Sequence, residues 1–272
     1  MWQVRETFTL DEVRTDPTFG SVRTIAGSIT TAWIDLAAGL RIGQTISLKM
    51  PGFVLNRAGS PINYSVLNHR MYIPDHFQEN DPFVLRELIE ANNFGTLIST
   101  LDQRPYATHL PFLYDADRAR LLGHMARANP HWCALADDLC DALVVFQGPH
   151  AYVSPSAYVE PGVPTWNYAA IHVYGRFHVL DDAADHRGIL ETLTERHESA
   201  RPEPWLADFD SSMLRRMMGA TVAFEIVINE LMGKFKLSQN RSTRDRAKVI
   251  EALEIEGTDN ATGVADLMRA RR

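Results

Sequence analysis

Cysteine is nearly absent from this 272-residue chain, which contains only Cys133 and Cys140. On a continuous helix their Cα atoms would lie about 10 Å apart, beyond the roughly 7 Å that a disulfide can bridge. Glycine and proline are also scarce, with 16 and 14 residues, which excludes collagen-like and low-complexity chains. We interpret the two cysteines as small apolar residues of a reduced, cytoplasmic protein.

The sequence also has no recognisable leader and no long apolar run. The first residues lack the basic start and apolar stretch of a secretory signal, and the apolar segment 32–40 is interrupted by Asp35. This segment is far shorter than the 18 or more residues that a membrane span needs. The net charge of −7 excludes a chain-wide attraction to nucleic acid or anionic lipid. We therefore predict no membrane contact, and any nucleic-acid contact must be local.

Residues 1–70 and 71–272 differ in charge and in pattern. The first segment carries 7 basic and 5 acidic side chains, whereas the second carries 20 and 29. Residues 1–70 show no sustained helical or strand periodicity with capping residues. We therefore predict an N-terminal extension, 1–70, outside the fold and one domain over 71–272.

Regular elements are indicated from Met71 onward. Asp81-Pro82, followed by apolar residues at helical spacing, predicts a helix that ends at Asn92-Asn93. Three consecutive strands, 94–101, 104–112 and 119–125, are expected to form a meander. Further strands are predicted near residues 143–146, 170–180 and 222–228, and further helices near 129–137, 182–199, 211–218, 242–253 and 262–269. This order favours an α+β fold with an antiparallel β-barrel over a doubly wound sheet.

Several common catalytic signatures are missing from the sequence. It contains no dinucleotide-binding glycine motif, phosphate loop, nucleophile elbow or zinc-protease motif. The ten histidines show no metal-ligand spacing, so we predict no metal site. His172 and His178 share one strand face, but six residues of strand place them about 20 Å apart.

Three polar clusters stand in otherwise apolar sequence. The first, around Gly123 to Trp132, places Arg127 at a strand end before Asn129-Pro130, which suits an anion site or simply a surface arginine beside a helix cap. The second, 163–168, is expected to be a turn whose rings hold a planar ligand or pack in the core. The third, 234–241, offers donors for a phosphate ester or forms an exposed basic loop.

The sequences of these clusters resemble those of the PaiB family of FMN-binding negative transcriptional regulators. The resemblance rests on blocks from Met71 to about Met268, among them Met71-Tyr-Ile-Pro, His109-Leu-Pro-Phe, Gly123-His-Met-Ala-Arg-Ala-Asn-Pro, Pro164-Thr-Trp-Asn-Tyr and Lys236-Leu-Ser-Gln-Asn. It implies a split β-barrel like that of pyridoxamine-phosphate oxidases, a homodimer, and FMN in a groove at the subunit interface. Family members begin at the position of Met71, so we also predict that translation starts there.

The resemblance implies fourteen cofactor-binding residues in this sequence. Arg127 together with Lys236, Ser238, Gln239 and Asn240 would hold the phosphate and ribityl oxygens. Residues Thr108, His109 and Leu110 would face the flavin edge, while Trp166, Asn167 and Tyr168 would line the ring or the dimer seam. The same blocks also supply His124, Asn129 and Thr165.

The family likeness implies a regulator that represses target genes directly or through a partner. Direct DNA contact would rest on the basic C-terminal region, which contains Arg241, Arg244, Arg246, Lys248, Arg269, Arg271 and Arg272. The alternative is an FMN-dependent oxidoreductase acting on a small substrate or a nicotinamide donor, with His109, His124 or Tyr168 as acid or base. A third alternative is haem binding through His172 or His178.

Overall fold

The computed structural model describes residues 71–136 and 141–271 in full, and the backbone of residue 137 and of four strands in the first 70 residues. The chain divides into two compact units, Met1–Met71 and Tyr72–Arg272. In the first unit, β1 (Trp2–Asp16) pairs antiparallel with β2 (Val22–Ile34), and the short β3 (Val54–Leu55) pairs with β4 (Pro61–Ile62). Local sequence pattern did not identify these strands, because cross-strand pairing can stabilise segments that lack a clean alternation.

The described residues of the second unit form eight further strands and six α-helices. The strands are β5 (Gln78–Glu79), β6 (Phe94–Leu101), β7 (Arg104–Pro111), β8 (Leu113–Asp115), β9 (Arg120–Ala126), β10 (Ala142–Val153), β11 (Thr165–Leu180) and β12 (Thr221–Lys236). The helices are α1 (Pro82–Ala91), α2 (His131–Asp137), α3 (Ala183–Glu198), α4 (Ser212–Gly219), α5 (Thr243–Glu256) and α6 (Asp259–Ala270).

These strands form one antiparallel sheet in the order β7-β6-β10-β11-β12-β9-β8, with β5 added beside β12. The sheet curls until β7 and β9 touch, although the described strands show no ladder between these two. The predicted α+β split barrel is thus confirmed. The predicted meander is wrong, because β9 pairs with β12 and β8 rather than with β7. A strand's partner is decided by long-range packing, which local pattern does not encode.

Capping residues account for the helix boundaries that the sequence predicted. The Asp81 side chain accepts a hydrogen bond from the Phe83 N–H, and Asp182 accepts one from Ala184. Ser211, Ser242 and Thr258 cap α4, α5 and α6 in the same manner. Each cap satisfies a backbone donor that the first helical turn leaves without a partner.

The barrel interior is built from alternate residues of the long strands. In β11, Ile171 and Val173 are fully buried, while His172 between them is only partly buried. Phe224 of β12 lies stacked on Phe177, with ring centroids 4.8 Å apart, and edge-on to Phe112 at 6.1 Å. Gly123 makes room for this ring, since a Cβ atom there would lie 2.7 Å from Phe224 Cζ. This aromatic cluster is the centre of the fold.

The remaining sequence expectations concern cysteines and membrane spans. Cys133 is exposed and unpaired, whereas Cys140 lies outside the described residues. In the part of the chain that the structure describes, no helix has both the length and the apolar run needed to cross a membrane.

Candidate functional site

The structure collects the fourteen predicted site residues into two groups. The first, called the barrel-split group, lies where β7 and β9 meet and contains Thr108, His109, Leu110, His124, Arg127 and Asn129. The second, called the strand-end group, lies where β11 begins and β12 ends. It contains Thr165, Trp166, Asn167, Tyr168, Lys236, Ser238, Gln239 and Asn240.

Hydrogen bonds connect Thr108 and Asn129 within the barrel-split group. The Asn129 Nδ2 donates to Thr108 Oγ1 at 3.2 Å, and Asn129 Oδ1 accepts from the backbone N–H of His131 at 3.0 Å. His109 is exposed and lies parallel to the ring of Phe94, with centroids 6.4 Å apart. The Leu110 side chain is buried, so only its backbone is suited to face a ligand.

Arg127 is exposed, and backbone carbonyls orient its guanidinium. Its Nε donates to Gly219 O and its Nη2 to Thr221 O, each at 3.0 Å. Two histidines lie nearby: His186 bonds Thr221 Oγ1 at 2.9 Å, and His124 Nδ1 is buried without a hydrogen-bond partner in the described residues. Burial lowers the pKa of His124 and His186, and the neighbouring Arg127 charge lowers that of His186 further. The site is therefore rich in donors and has an unsatisfied imidazole nitrogen.

In the strand-end group, Lys236 joins two strands and an aromatic surface. Its ammonium donates to Thr165 Oγ1 and to Trp166 O. Burial lowers the pKa of Lys236, and the charge of Lys234 lowers it further. Trp166 is about half exposed, and Tyr168 lies 5.6 Å from the Lys234 ammonium. These side chains make a cationic surface with exposed rings.

An open groove of about 290 Å³ lies along this aromatic surface. It is lined by Val145, Gln147, His150, Trp166, Tyr168 and Ala170. Apolar walls with a few polar groups are typical of sites for planar ligands. The segment predicted as a turn, Thr165–Tyr168, is the start of β11, so alternate residues face the groove and the interior.

This alternation places two predicted ligand residues in the interior. Asn167 Nδ2 donates to Ser238 Oγ at 3.0 Å, and both side chains are buried. Gln239 is engaged by its own turn, accepting from Leu237 N and donating to Phe235 O, whereas Asn240 is exposed. The donors of Asn167, Ser238 and Gln239 therefore stabilise the turn after β12 and are not directed to a ligand.

A tether that sequence reasoning missed holds the loop before β11. Asp245 of α5 is fully buried, and its Oδ1 accepts hydrogen bonds from Val159 N at 2.7 Å and Glu160 N at 3.2 Å. Arg241 lies over the Tyr158 ring, 4.3 Å from its centroid. The sequence carried no signal for this contact, because about 85 residues separate the two segments.

The two groups lie at opposite ends of β12. Thr221 pairs with Ala126 beside Arg127, while Lys236 pairs with Tyr168. Fifteen residues of extended chain lie between these positions, a path of about 50 Å along the strand. Arg127 and Lys236 of one subunit are therefore far apart along β12.

The sequence also raised the question of haem and metal ligands among the histidines. His172 is half-buried and His178 exposed, with six residues of β11 between them. Within the described residues, no three histidine, cysteine, aspartate or glutamate side chains gather closely enough to hold a metal ion.

His131, which the sequence interpretation did not single out, is the most perturbed histidine of the site. Its imidazole is fully buried and accepts or donates at both nitrogens, to Ser99 Oγ and Thr108 Oγ1, each at 2.8 Å. Burial lowers its pKa from 6.5 to about 4. The only sequence signal was its place after the Asn129-Pro130 helix start.

We expect this histidine to make stability depend on pH. Between pH 6.5 and 4 the imidazole of residue 131 binds a proton in the unfolded chain but stays neutral in the folded chain. Acid therefore favours unfolding. The contribution of this histidine to the free energy of unfolding is complete above pH 6.5, and about 3 kcal/mol of it is lost by pH 4. Urea unfolding of the wild type and of His131→Gln at several pH values measures this. Other buried histidines affect both proteins, so equal pH slopes would contradict the assignment.

Comparison with known proteins gives a consistent set of relatives. A family model described as "Putative FMN-binding domain" matches residues 71–230. Protease synthase and sporulation protein PAI 2 of Bacillus subtilis is 38% identical over 204 residues, which cover 73% of this chain and 96% of that protein. Protein AN0679 of Emericella nidulans is 31% identical over 244 residues, covering 74% and 97% of the two chains. Among solved structures, the FAD and heme binding protein from Mycobacterium smegmatis has a TM-score of 0.49 at 23% identity, covering 63% of this chain and 79% of that one.

Proposed function

Because this chain belongs to the PaiB-type FMN-binding family, with FMN as its cofactor, we propose that it is a homodimeric regulator that lowers the expression of target genes. The Bacillus subtilis relative is named for protease synthesis and sporulation, and this name supports a role in gene control for the present chain. The regulatory role and the dimer are what we propose here for this member of the family.

The side chains present fit FMN. An anionic phosphate ester suits the exposed, carbonyl-oriented Arg127 and the unsatisfied His124 Nδ1. A planar ring suits the groove beside Trp166 and Tyr168, where Lys234 and Lys236 supply positive charge. FMN supplies a redox-active ring when bound. The chain's own residues orient it, with Arg127 on the phosphate and the Trp166 side of the groove excluding water.

The proposed homodimer rests on one observation, which is that the barrel-split group and the strand-end group lie at opposite ends of β12. Both groups reach one FMN only if each comes from a different subunit. A two-fold dimer then forms two equivalent sites, each with Arg127 from one protomer and Lys236 from its partner. The exposed aromatic surface at the strand end provides apolar area for the contact.

The C-terminal cations favour repression through a partner over direct operator binding. Arg271 is bonded to Glu79, Arg269 to Asp266, and Lys248 to Glu251. Arg246 donates to the carbonyls of Met268 and Arg271, and Arg241 lies over Tyr158. These partners compete with phosphate groups, so little of the predicted basic region is available to DNA.

Two measurements test the proposal. Titration with FMN, combined with light scattering, is expected to give one FMN per subunit and the mass of a dimer. Transcripts compared between the native host and a strain lacking the gene are expected to rise in that strain. Wild-type protein should restore repression and Arg127→Ala should not. A monomer, or an unchanged transcript profile, would contradict the proposal, and repeated oxidation of a reduced nicotinamide would favour the oxidoreductase instead.

A further inference from the structure

The His131 imidazole, which the proposed function does not use, is the buried centre of a polar network. The network has five members: Ser99 on β6, Tyr106 and Thr108 on β7, Asn129 after β9, and His131 at the start of α2. It therefore joins the β6–β7 hairpin to the chain that leaves β9. No ladder connects β7 and β9 in the described strands, so the network links two parts of the barrel that the sheet leaves unpaired.

One backbone group fixes the orientation of the Asn129 amide. The His131 N–H can only donate, so the atom of Asn129 that it meets is the amide oxygen. The Asn129 nitrogen must then donate to Thr108 Oγ1, and every group of the network is satisfied when the threonine hydrogen is donated to His131 Nδ1. A neutral imidazole that accepts at Nδ1 carries its proton on Nε2 and donates it to Ser99 Oγ.

Packing keeps the imidazole in this orientation. The His131 side chain is fully buried, and the Tyr106 ring lies edge-on to it with centroids 4.8 Å apart. The Tyr106 hydroxyl also reaches Asn129 Oδ1 at 3.4 Å. A buried network in which every member has a partner adopts one arrangement, because any rotation leaves a donor or acceptor unpaired.

We propose that His131 is a positioning residue of the flavin site, which holds Thr108 and Asn129 in the one arrangement that receives FMN. Arg127 lies only two residues before Asn129, and its backbone carbonyl accepts a hydrogen bond from Trp132 Nε1 of α2 at 2.9 Å. This inference rests on the proposed function, since it needs FMN to bind at the barrel-split group. It adds that the chain segments facing the flavin, at Thr108 and at Asn129, are aligned by a side chain that does not itself touch the ligand.

The test compares FMN affinity in two variants of α2. His131→Phe keeps a ring of similar size against Tyr106 but removes both side-chain hydrogen bonds, and we expect the FMN dissociation constant to rise about tenfold. We also expect the visible circular dichroism of the flavin, measured at saturating FMN, to change because the ring is held differently. Leu135→Ala is the control, since Leu135 is a buried apolar residue of α2 outside the network. It lowers stability without touching a polar partner, so FMN affinity should remain within about twofold.

A second pair of variants gives an answer even if His131→Phe does not fold. Ser99→Ala removes only the partner of Nε2, and we expect FMN binding to weaken about threefold, whereas Ser99→Thr keeps a hydroxyl and should bind as the wild type does. Unchanged affinity and spectrum in His131→Phe, or an equal loss in Leu135→Ala, would overturn the inference while leaving the proposed function intact. A wild-type protein that fails to bind FMN would overturn both.

Discussion

Replacing Phe224 with alanine is expected to lower the free energy of unfolding by about 4 kcal/mol, since truncating a fully buried phenylalanine removes its transfer free energy and leaves a cavity. The Phe224 ring is 0% exposed and contacts Phe177 and Phe112 at the centre of the barrel. Phe177 belongs to β11, and Phe112 lies between β7 and β8 with its N–H bonded to Asn93 O, so both rings are poorly placed to fill the space. Urea unfolding at neutral pH, with the midpoint and slope measured for both proteins, gives the difference.

Val227→Ala is the matched control for this prediction. Val227 lies on the same strand, three residues further along, and its side chain is 38% exposed. We expect a loss within about 0.5 kcal/mol there, apart from a small change in strand propensity. Similar losses of unfolding free energy in the two variants would show that the aromatic cluster is not the centre of the fold.

Mixing two inactive variants is expected to restore FMN binding. Arg127→Ala disables the barrel-split group and Lys236→Ala disables the strand-end group, so we expect each homodimer to lose flavin binding. If each site draws one group from either subunit, a heterodimer of the two variants has one intact site and one doubly damaged site. Co-expression at equal levels should then recover about one quarter of the wild-type flavin content, because half of the dimers are mixed. Absorbance of the bound flavin per subunit measures this fraction.

The control for this experiment is a mixture in which recovery is impossible. Arg127→Ala co-expressed with the double variant Arg127→Ala/Lys236→Ala contains no intact barrel-split group, so no site should be restored. If the first mixture also fails to recover flavin, the two groups do not meet across a dimer. Substantial binding by either single variant would instead show that one group suffices.

Local sequence patterns predicted most of the elements of the second unit. Asp81-Pro82 marks the start of α1 because capping and a fixed proline φ act within one turn of chain. The alternation of apolar residues along β11 predicted its buried face for the same reason, since neighbouring side chains of a strand point to opposite faces. What the patterns did not predict is how strands pair, as β9 shows by joining β12 instead of β7.

The candidate site likewise contains residues that the sequence identified and residues whose role only the structure reveals. Arg127, Trp166 and Lys236 were identified from residue type and position, and the structure leaves them at surfaces where a ligand has access. Asn167 and Ser238 were predicted as ligand residues, but they bond each other inside the protein. His131 was missed because its partners, Ser99 and Thr108, lie more than twenty residues away along the chain.

The sequence by itself determined the residue types available for binding, the helix ends and the buried faces of the strands, because these depend on interactions over a few residues. Tertiary structure alone decided which strands meet, which polar side chains are used up in the interior, and that the two groups of flavin candidates lie at opposite ends of β12. These outcomes depend on contacts between segments distant in the chain, whose free energy appears only when the whole barrel packs.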